Sequence, residues 1–132
     1  MTRRGDPRKP TEFQLQAAVM DYIRLNKAPD LVVMHVPNQQ ASGPRRGAYL
    51  KRMGVFPGAS DLLLIKRRPR TGPTMYEAMP QVLWLELKAP GKKPTHTQKL
   101  FEMAVLHVGC EYRWADNFDE TIALLKRGGW TR

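Results

Sequence analysis

Val82-Leu-Trp-Leu-Glu-Leu-Lys88 is the segment whose pattern says most about the structure and chemistry of this chain. It is short, almost entirely apolar and bounded by polar segments, which predicts a strand inside a sheet. Side chains on a strand alternate between the two faces, so its three leucines share one face, and Val82, Trp84, Glu86 and Lys88 share the other. A carboxylate and an ammonium group therefore lie two residues apart on one side of an apolar strand.

Burying these two charges is costly unless they are paired or bind a metal ion. Taken alone, the strand is also consistent with a simple ion pair between Glu86 and Lys88 at a strand end. Asp61 shifts the balance, because it begins a second apolar strand (predicted over Asp61–Ile65) directly after a turn at Gly54–Ser60. Asp61 alone would be an ordinary turn or strand-start residue. If the strands are neighbours, however, Asp61 and Glu86 converge at one edge of the sheet.

Two carboxylates and a backbone carbonyl, here that of Leu87, form an oxygen ligand set suited to Mg²⁺ or Mn²⁺. Such an ion activates water and neutralises charge on a phosphodiester. Lys88 beside it would position the water or stabilise the developing charge. The sequence therefore predicts a metal site with Asp61, Glu86 and Leu87 as ligands and Lys88 as a catalytic residue.

Glu12 and Gln98 are candidate supporting residues on two predicted helices. Glu12 lies three residues before Leu15 on the inward side of its helix, so its carboxylate needs a partner. It is equally consistent with a first-turn acid that the helix dipole favours. Gln98 also borders an inward face, although it forms a capping box with Thr95, which alone would explain its presence.

The rest of the chain predicts an α/β domain with a mixed sheet of about four strands flanked by helices, in the order α-β-β-β-α-β-α. Residues 1–10 are predicted to be a flexible basic arm and residues 11–128 a single domain. A short helix is expected around Ala48–Met53, and residues 67–81 are expected to form an exposed connection. The other predicted elements are a helix from Thr11 to about Asn26 with Leu15, Ala18, Val19, Tyr22 and Ile23 on its apolar face, a strand at Leu31–Val36, a helix from Thr95 to Gly109, a strand at Glu111–Trp114 and a helix capped by Asp116 and reaching Arg127.

Charge and composition indicate a polyanionic partner. The 132 residues carry a formal net charge of +10, which favours nucleic acid or an anionic membrane surface. No apolar run is long enough to span a bilayer, and a single cysteine fits a reducing cytoplasmic setting. Three histidines and one cysteine cannot make a zinc finger. The basic residues cluster in the middle of the chain, which favours a phosphate-binding face over a merely solvated surface; the candidate DNA contacts are Arg45, Arg46, Lys51, Arg52, Lys92 and Lys93.

These motifs together resemble the VRR-NUC domain, the virus-type replication-repair nuclease branch of the PD-(D/E)XK superfamily. The resemblance rests on Gly-Val-Phe-Pro-Gly-Ala-Ser-Asp-Leu (54–62), Leu-Glu-Leu-Lys (85–88) and Thr97-Gln98, and it runs from Glu12 to about Leu125. Ser60 departs from it, since the family often has proline before the aspartate. The resemblance implies a restriction-endonuclease-like core, Asp61 and Glu86 as metal ligands, Lys88 as catalytic residue, and Glu12 and Gln98 as supporting residues.

The same resemblance implies a function and an assembly. Small free-standing members look like phage or prophage proteins, resemble Holliday-junction resolvases in size and behave as dimers, so we expect a homodimeric endonuclease on branched or structured DNA. No small-molecule cofactor is expected. Asn38 matches a polar position of the family and is a candidate DNA contact. Four alternatives stay open: a non-catalytic basic nucleic-acid-binding protein, a restriction-like enzyme, a nuclease acting on RNA, and one acting on duplex DNA without structure preference.

Overall fold

A four-stranded sheet with helices on both faces forms the centre of the molecule. The computed structural model describes residues 11–37, 48, 52–54, 56–68 and 79–132. The α/β class and the element order predicted from the sequence are confirmed. Within these ranges the elements are, in chain order, α1 (Glu12–Asn26), β1 (Val32–His35), β2 (Leu62–Arg67), β3 (Pro80–Leu87), α2 (His96–His107), β4 (Glu111–Ala115) and α3 (Phe118–Arg127).

The sheet is mixed, with the strands in the order β1-β2-β3-β4. β1, β2 and β3 are antiparallel neighbours, and β4 runs parallel to β3. Leu62 of β2 pairs with Leu85 of β3. The residues just before β2 and at the end of β3 therefore meet at the same end of the sheet, as the hypothesis of neighbouring strands required.

The two faces of β3 carry two separate cores. Leu83, Leu85 and Leu87 are fully buried together, in one cluster with residues of α1 and α3. On the opposite face, Trp84 packs edge-to-face on Phe101 of α2, with 5.0 Å between ring centroids. β3 is therefore buried on both faces, and Glu86 near its end is surrounded by packed side chains.

Two predictions about helix positions are wrong. Ala18 is exposed, because α1 rests on the sheet through the narrow stripe Leu15, Val19 and Ile23, spaced four residues apart. The last helix is capped by Asn117, whose side chain accepts a hydrogen bond from Glu120 N at 2.8 Å. Asp116 instead accepts from Gly91 N at 3.1 Å, because a cap bonds to the amide three residues further on and α3 begins one residue later than predicted.

The fold continues past residue 128, where the sequence placed the end of the domain. Trp130 is 1% exposed and belongs to the core. Lys66 Nζ donates to the Gly128 carbonyl at 2.8 Å and lies 4.7 Å from the centre of the Trp130 ring. Gly128 and Gly129 end the helix, but the residues that follow them still pack against the core.

Several predictions fall on residues outside those that the structure describes. They include the basic arm at 1–10, most of the short helix at Ala48–Met53 and most of the connection at 67–81. Within the described ranges, no helix is both long and apolar enough to cross a membrane.

Candidate active site

Three carboxylates from three different elements converge at one end of the sheet. Glu12 is the first residue of α1, Asp61 immediately precedes β2, and Glu86 is the penultimate residue of β3. One carboxylate oxygen from each lies within 4.8 Å of the other two. In a chain of net charge +10, so close a meeting of acids indicates a site for a cation.

Asp61 is fixed by backbone contacts on both sides. Its Oδ2 accepts a hydrogen bond from Leu87 N at 3.0 Å, and its carbonyl accepts one from Val36 N at 2.8 Å. The antiparallel register of β2 and β3 places Asp61 next to Glu86. The strand pairing thus positions the carboxylate without any need for a long or mobile side chain.

Glu86 is the most enclosed of the three acids, with 1% of its surface exposed. Its Oε1 accepts a hydrogen bond from Gln98 Nε2 at 2.8 Å and lies 3.6 Å from Lys88 Nζ. Its Oε2 is buried with no hydrogen-bond partner among the described residues. Burial and the neighbouring carboxylate of Asp61 raise the pKa of Glu86 to about 8, although Lys88 opposes the shift.

Glu12 lies at the exposed rim of the cluster. Partial burial and the carboxylate of Asp61 raise its pKa, while Lys88 lowers it. A first-turn acid placed only to favour the helix dipole would not need to approach two other carboxylates. The structure therefore brings Glu12 together with Asp61, Glu86 and Lys88.

One amide side chain, that of Gln98, serves both the helix and the site. Its Oε1 accepts from Thr95 N at 2.8 Å and completes the capping box of α2, while its Nε2 donates to Glu86. The two interpretations of Gln98 from the sequence are therefore compatible. The beginning of α2 is held against the turn before Asp61, where a Cβ on Gly58 (φ +79°) would lie 2.5 Å from Thr97 O.

The donor set fits a divalent cation. The oxygens around Mg²⁺ lie about 2.1 Å from the ion and so up to about 4.2 Å apart across it, close to the spread of the three carboxylates here. The buried, unpartnered Oε2 of Glu86 is a second observation that favours an ion, because a buried acceptor without a partner is costly. Asp61 and Glu86 could thus hold one ion, with Glu12 close enough to contact it or a water bound to it.

Two residues near the cluster, His35 and Gln16, were not among the site residues predicted from the sequence. His35 Nδ1, at the end of β1, lies 3.0 Å from the carbonyl oxygen of Asp61 and 2.9 Å from Gln16 Nε2. Gln16 is four residues after Glu12, so both lie on one side of α1. That spacing was a usable signal, whereas nothing in the short strand indicated that its histidine would face Asp61.

The predicted DNA contacts are only partly described. Arg52, Lys92 and Lys93 are exposed, and the two lysines lie in the segment that connects β3 to α2, four and five residues after Lys88. The remaining candidates, Asn38, Arg45, Arg46 and Lys51, lie outside the described residues. Their roles stay predictions.

Fold and site together define a class: a mixed α/β domain whose sheet brings an aspartate, a glutamate and a lysine (Asp61, Glu86 and Lys88) together at one end. Comparison with known proteins agrees. A solved structure described as a VRR_NUC domain protein matches with a TM-score of 0.64 and 25% identity, over 90% of this chain and 88% of that chain. No protein-family model and no curated protein matched. The resemblance to the VRR-NUC domain is therefore confirmed, and the chain has that fold.

Proposed function

We propose that the chain is a metal-dependent endonuclease that hydrolyses phosphodiester bonds in DNA. The observation that carries the proposal is the convergence of Glu12, Asp61 and Glu86 within 4.8 Å, with the ammonium group of Lys88 beside them at 3.6 Å from Glu86. The similarity to a VRR_NUC domain protein supports it. So does the net charge of +10, which suits a polyanionic substrate.

Each residue has a distinct part in this chemistry. Asp61 and Glu86 would hold Mg²⁺ or Mn²⁺, which supplies Lewis-acid activation of water and neutralisation of phosphate charge. Leu87 N donates to Asp61 Oδ2, and Lys88 N donates to Ala115 O on the β4 side. Because the C=O and N–H of a trans peptide point in opposite directions, the Leu87 carbonyl is directed toward the Asp61 side, which suits the proposed third ligand. Lys88 would stabilise the negative charge that develops on the phosphate, and Glu12 would orient the attacking water.

A panel of labelled substrates tests the proposal. The protein is incubated with Mg²⁺ or Mn²⁺ and duplex, flap, single-stranded and four-way-junction DNA of matched sequence. We expect internal cuts, fastest on branched DNA. Absence of cleavage on every substrate with both metals would refute the nuclease.

A non-catalytic basic nucleic-acid-binding protein is the alternative from another class. It predicts tight binding that does not depend on Asp61, Glu86 or Glu12. Removing repulsion among three acids should then leave DNA affinity unchanged or stronger, with no product formed. Matched RNA substrates in the same panel distinguish cleavage of RNA from cleavage of DNA, and equal rates on branched and linear DNA would indicate a nuclease without structure preference.

Gln98→Ala is expected to lower the cleavage rate by roughly 10- to 100-fold, the usual effect of losing a group that orients a metal ligand. Gln14→Ala is a matched control. Gln14 occupies the same capping-box position in α1 without a contact to Glu86. Both variants should lose the thermal stability that the cap provides, and Gln98→Ala should lose more because it also removes the hydrogen bond to Glu86. Only Gln98→Ala should lose activity; equal activity in the two would show that Gln98 has no part in the site.

Paired alanines at Arg45 and Arg46 are expected to weaken DNA binding and to flatten its salt dependence. Each lost phosphate contact lowers the slope of log affinity against log salt by about one unit. The effect should be similar across sequences, since phosphate contacts carry little base information. Fluorescence anisotropy at several salt concentrations measures it, and an unchanged slope would place the pair off the DNA path. Lys51, Arg52, Lys92, Lys93, Asn38 and the arm at 1–10 are proposed as further contacts.

We expect a homodimer in solution, because one site cuts one strand and paired cuts need two copies. Candidates for the interface are apolar residues in and after the stretch 43–53 that the core needs least: Tyr49, Leu50, Val55 and Phe56. Of these, Phe56 is described: it is 52% exposed and also packs on Phe101. Exposed apolar residues of α2 (Leu100, Met103 and Leu106) add to the available surface. Light scattering at micromolar concentration should give twice 15.1 kDa; a mass of one chain would exclude the dimer.

A further inference from the structure

A groove between α1 and the edge strand β1 lies beside the carboxylate cluster and has no part in the chemistry proposed above. Its volume is about 410 Å³. Apolar side chains form most of its walls, Gln16 and His35 lie on the side nearest the cluster, and the exposed ion pair between Asp21 and Arg24 also lines it. The residues that matter are Phe13, Met20, Val33 and Met34, with Gln16 and His35 as the polar pair.

Phe13 is the most unusual residue of this groove. It is 80% exposed and directly follows Glu12, at the beginning of α1. Leaving a phenyl ring in water forgoes the stabilisation that burial would provide. A flat, exposed aromatic face beside a phosphodiesterase-type site is suited to stacking on a nucleobase.

The polar side of the groove connects it to the cluster. Gln16 Nε2 lies 2.9 Å from His35 Nδ1, and that same nitrogen lies 3.0 Å from the Asp61 carbonyl oxygen. A molecule in the groove would therefore lie next to Asp61, and so close to a phosphate bound at the metal ion that Asp61 and Glu86 would hold. The contacts above involve Gln16 Nε2 and His35 Nδ1. The other polar atoms of these two side chains, Gln16 Oε1 and His35 Nε2, could hydrogen-bond to the polar edge of a bound ring, while apolar side chains contact its faces.

We propose that this groove binds an unpaired nucleobase of the substrate, next to the phosphodiester that is cut, with Phe13 stacking on the base. A nucleobase matches the groove because it combines apolar faces with a polar edge. The net charge of +10 on the protein also attracts nucleic acid, the polyanion to which the base belongs. A paired base inside a duplex is stacked on its neighbours and cannot enter. The inference rests on the proposed nuclease function and deepens it: the preferred substrates are those that present unpaired bases, such as flaps, junction openings and single strands.

Binding measured in Ca²⁺ tests the groove separately from catalysis. The probe is a single-stranded oligonucleotide containing 2-aminopurine, compared with the fully paired duplex of the same sequence. Phe13→Ala should weaken single-strand affinity about tenfold, the usual loss for one stacked base, and leave duplex affinity unchanged. Phe13→Trp should retain binding. Leu25→Ala is the control, because Leu25 is an equally exposed apolar residue of the same helix (84% exposed) that does not line the groove.

Cleavage and mass give two further readouts. In Mg²⁺, the ratio of the single-strand or flap rate to the duplex rate should fall in Phe13→Ala and stay unchanged in Leu25→Ala. Equal losses on paired and unpaired DNA, or no loss on either, would overturn the groove while leaving the nuclease proposal intact. A change of oligomeric mass in Phe13→Ala would overturn it as well, because the groove would then hold a second copy of the chain. If the protein cleaves no substrate but Phe13→Ala still weakens single-strand binding, the nuclease proposal would be refuted and the groove proposal would stand.

Discussion

Asp61→Ala, Glu86→Ala and Lys88→Ala are each expected to lower the cleavage rate by on the order of 10³-fold or more, which corresponds to roughly 4 kcal/mol of lost transition-state stabilisation. The two carboxylates would hold the ion that activates water, and Lys88 is the cation next to them, 3.6 Å from Glu86. Single-turnover rates on a flap or junction substrate measure the effect, since slow product release cannot then mask it.

Isosteric variants separate chemistry from folding. Asp61→Asn and Glu86→Gln keep side-chain volume and remove charge from a cluster in which burial and like charge raise the pKa of Glu86 to about 8. They should therefore fold at least as stably as the original chain and still be inactive. Glu120→Gln is the control, because Glu120 is an exposed acid in the first turn of α3. Near-normal rates in either isosteric variant would show that the cluster is not the active site.

Removing divalent metal is expected to stop cleavage completely. Excess chelator should abolish product formation, and Mg²⁺ or Mn²⁺ should restore it. Ca²⁺ should bind without supporting good turnover, because its looser and more variable coordination fixes the water less well. Full activity in chelator would exclude the mechanism.

Thermal stability gives a readout of the metal that does not depend on activity. A ligand that binds only the folded state stabilises it, by about 2.7 kcal/mol at 100 times its Kd, and the melting temperature should rise by several degrees. The rise should be absent in Glu86→Gln and preserved in Glu120→Gln. An equal rise in both would place the ion elsewhere on the protein.

The strand pattern around Glu86 allowed much of the fold and site to be predicted. Alternation along β3 separated the buried leucines from Glu86 and Lys88, and strong strand and capping signals gave the element order. The meeting of Asp61 with Glu86 needed the additional assumption that their strands are neighbours, which the register confirms. Local patterns therefore identified the residues, whereas their convergence depended on sheet topology.

What the sequence did not indicate depends on contacts between distant elements. His35 lies beside Asp61 because β1 pairs with β2, and no local period encodes that pairing. The burial of Trp130 likewise follows from packing beyond the last helix. Ala18 was misplaced because periodicity gives the side of a helix but not the width of the stripe that the sheet covers.

Gly58 shows how little freedom the loop before Asp61 has to change length. Its backbone passes so close to Thr97 and Gln98 that a methyl group would not fit, so the turn that leads into the Asp61 strand and the helix that carries Gln98 are seated on one another. An insertion or deletion between Gly58 and Asp61 would displace a proposed metal ligand and the support of a second ligand together. Loop grafts from other nucleases would therefore have to keep the spacing of this turn unchanged.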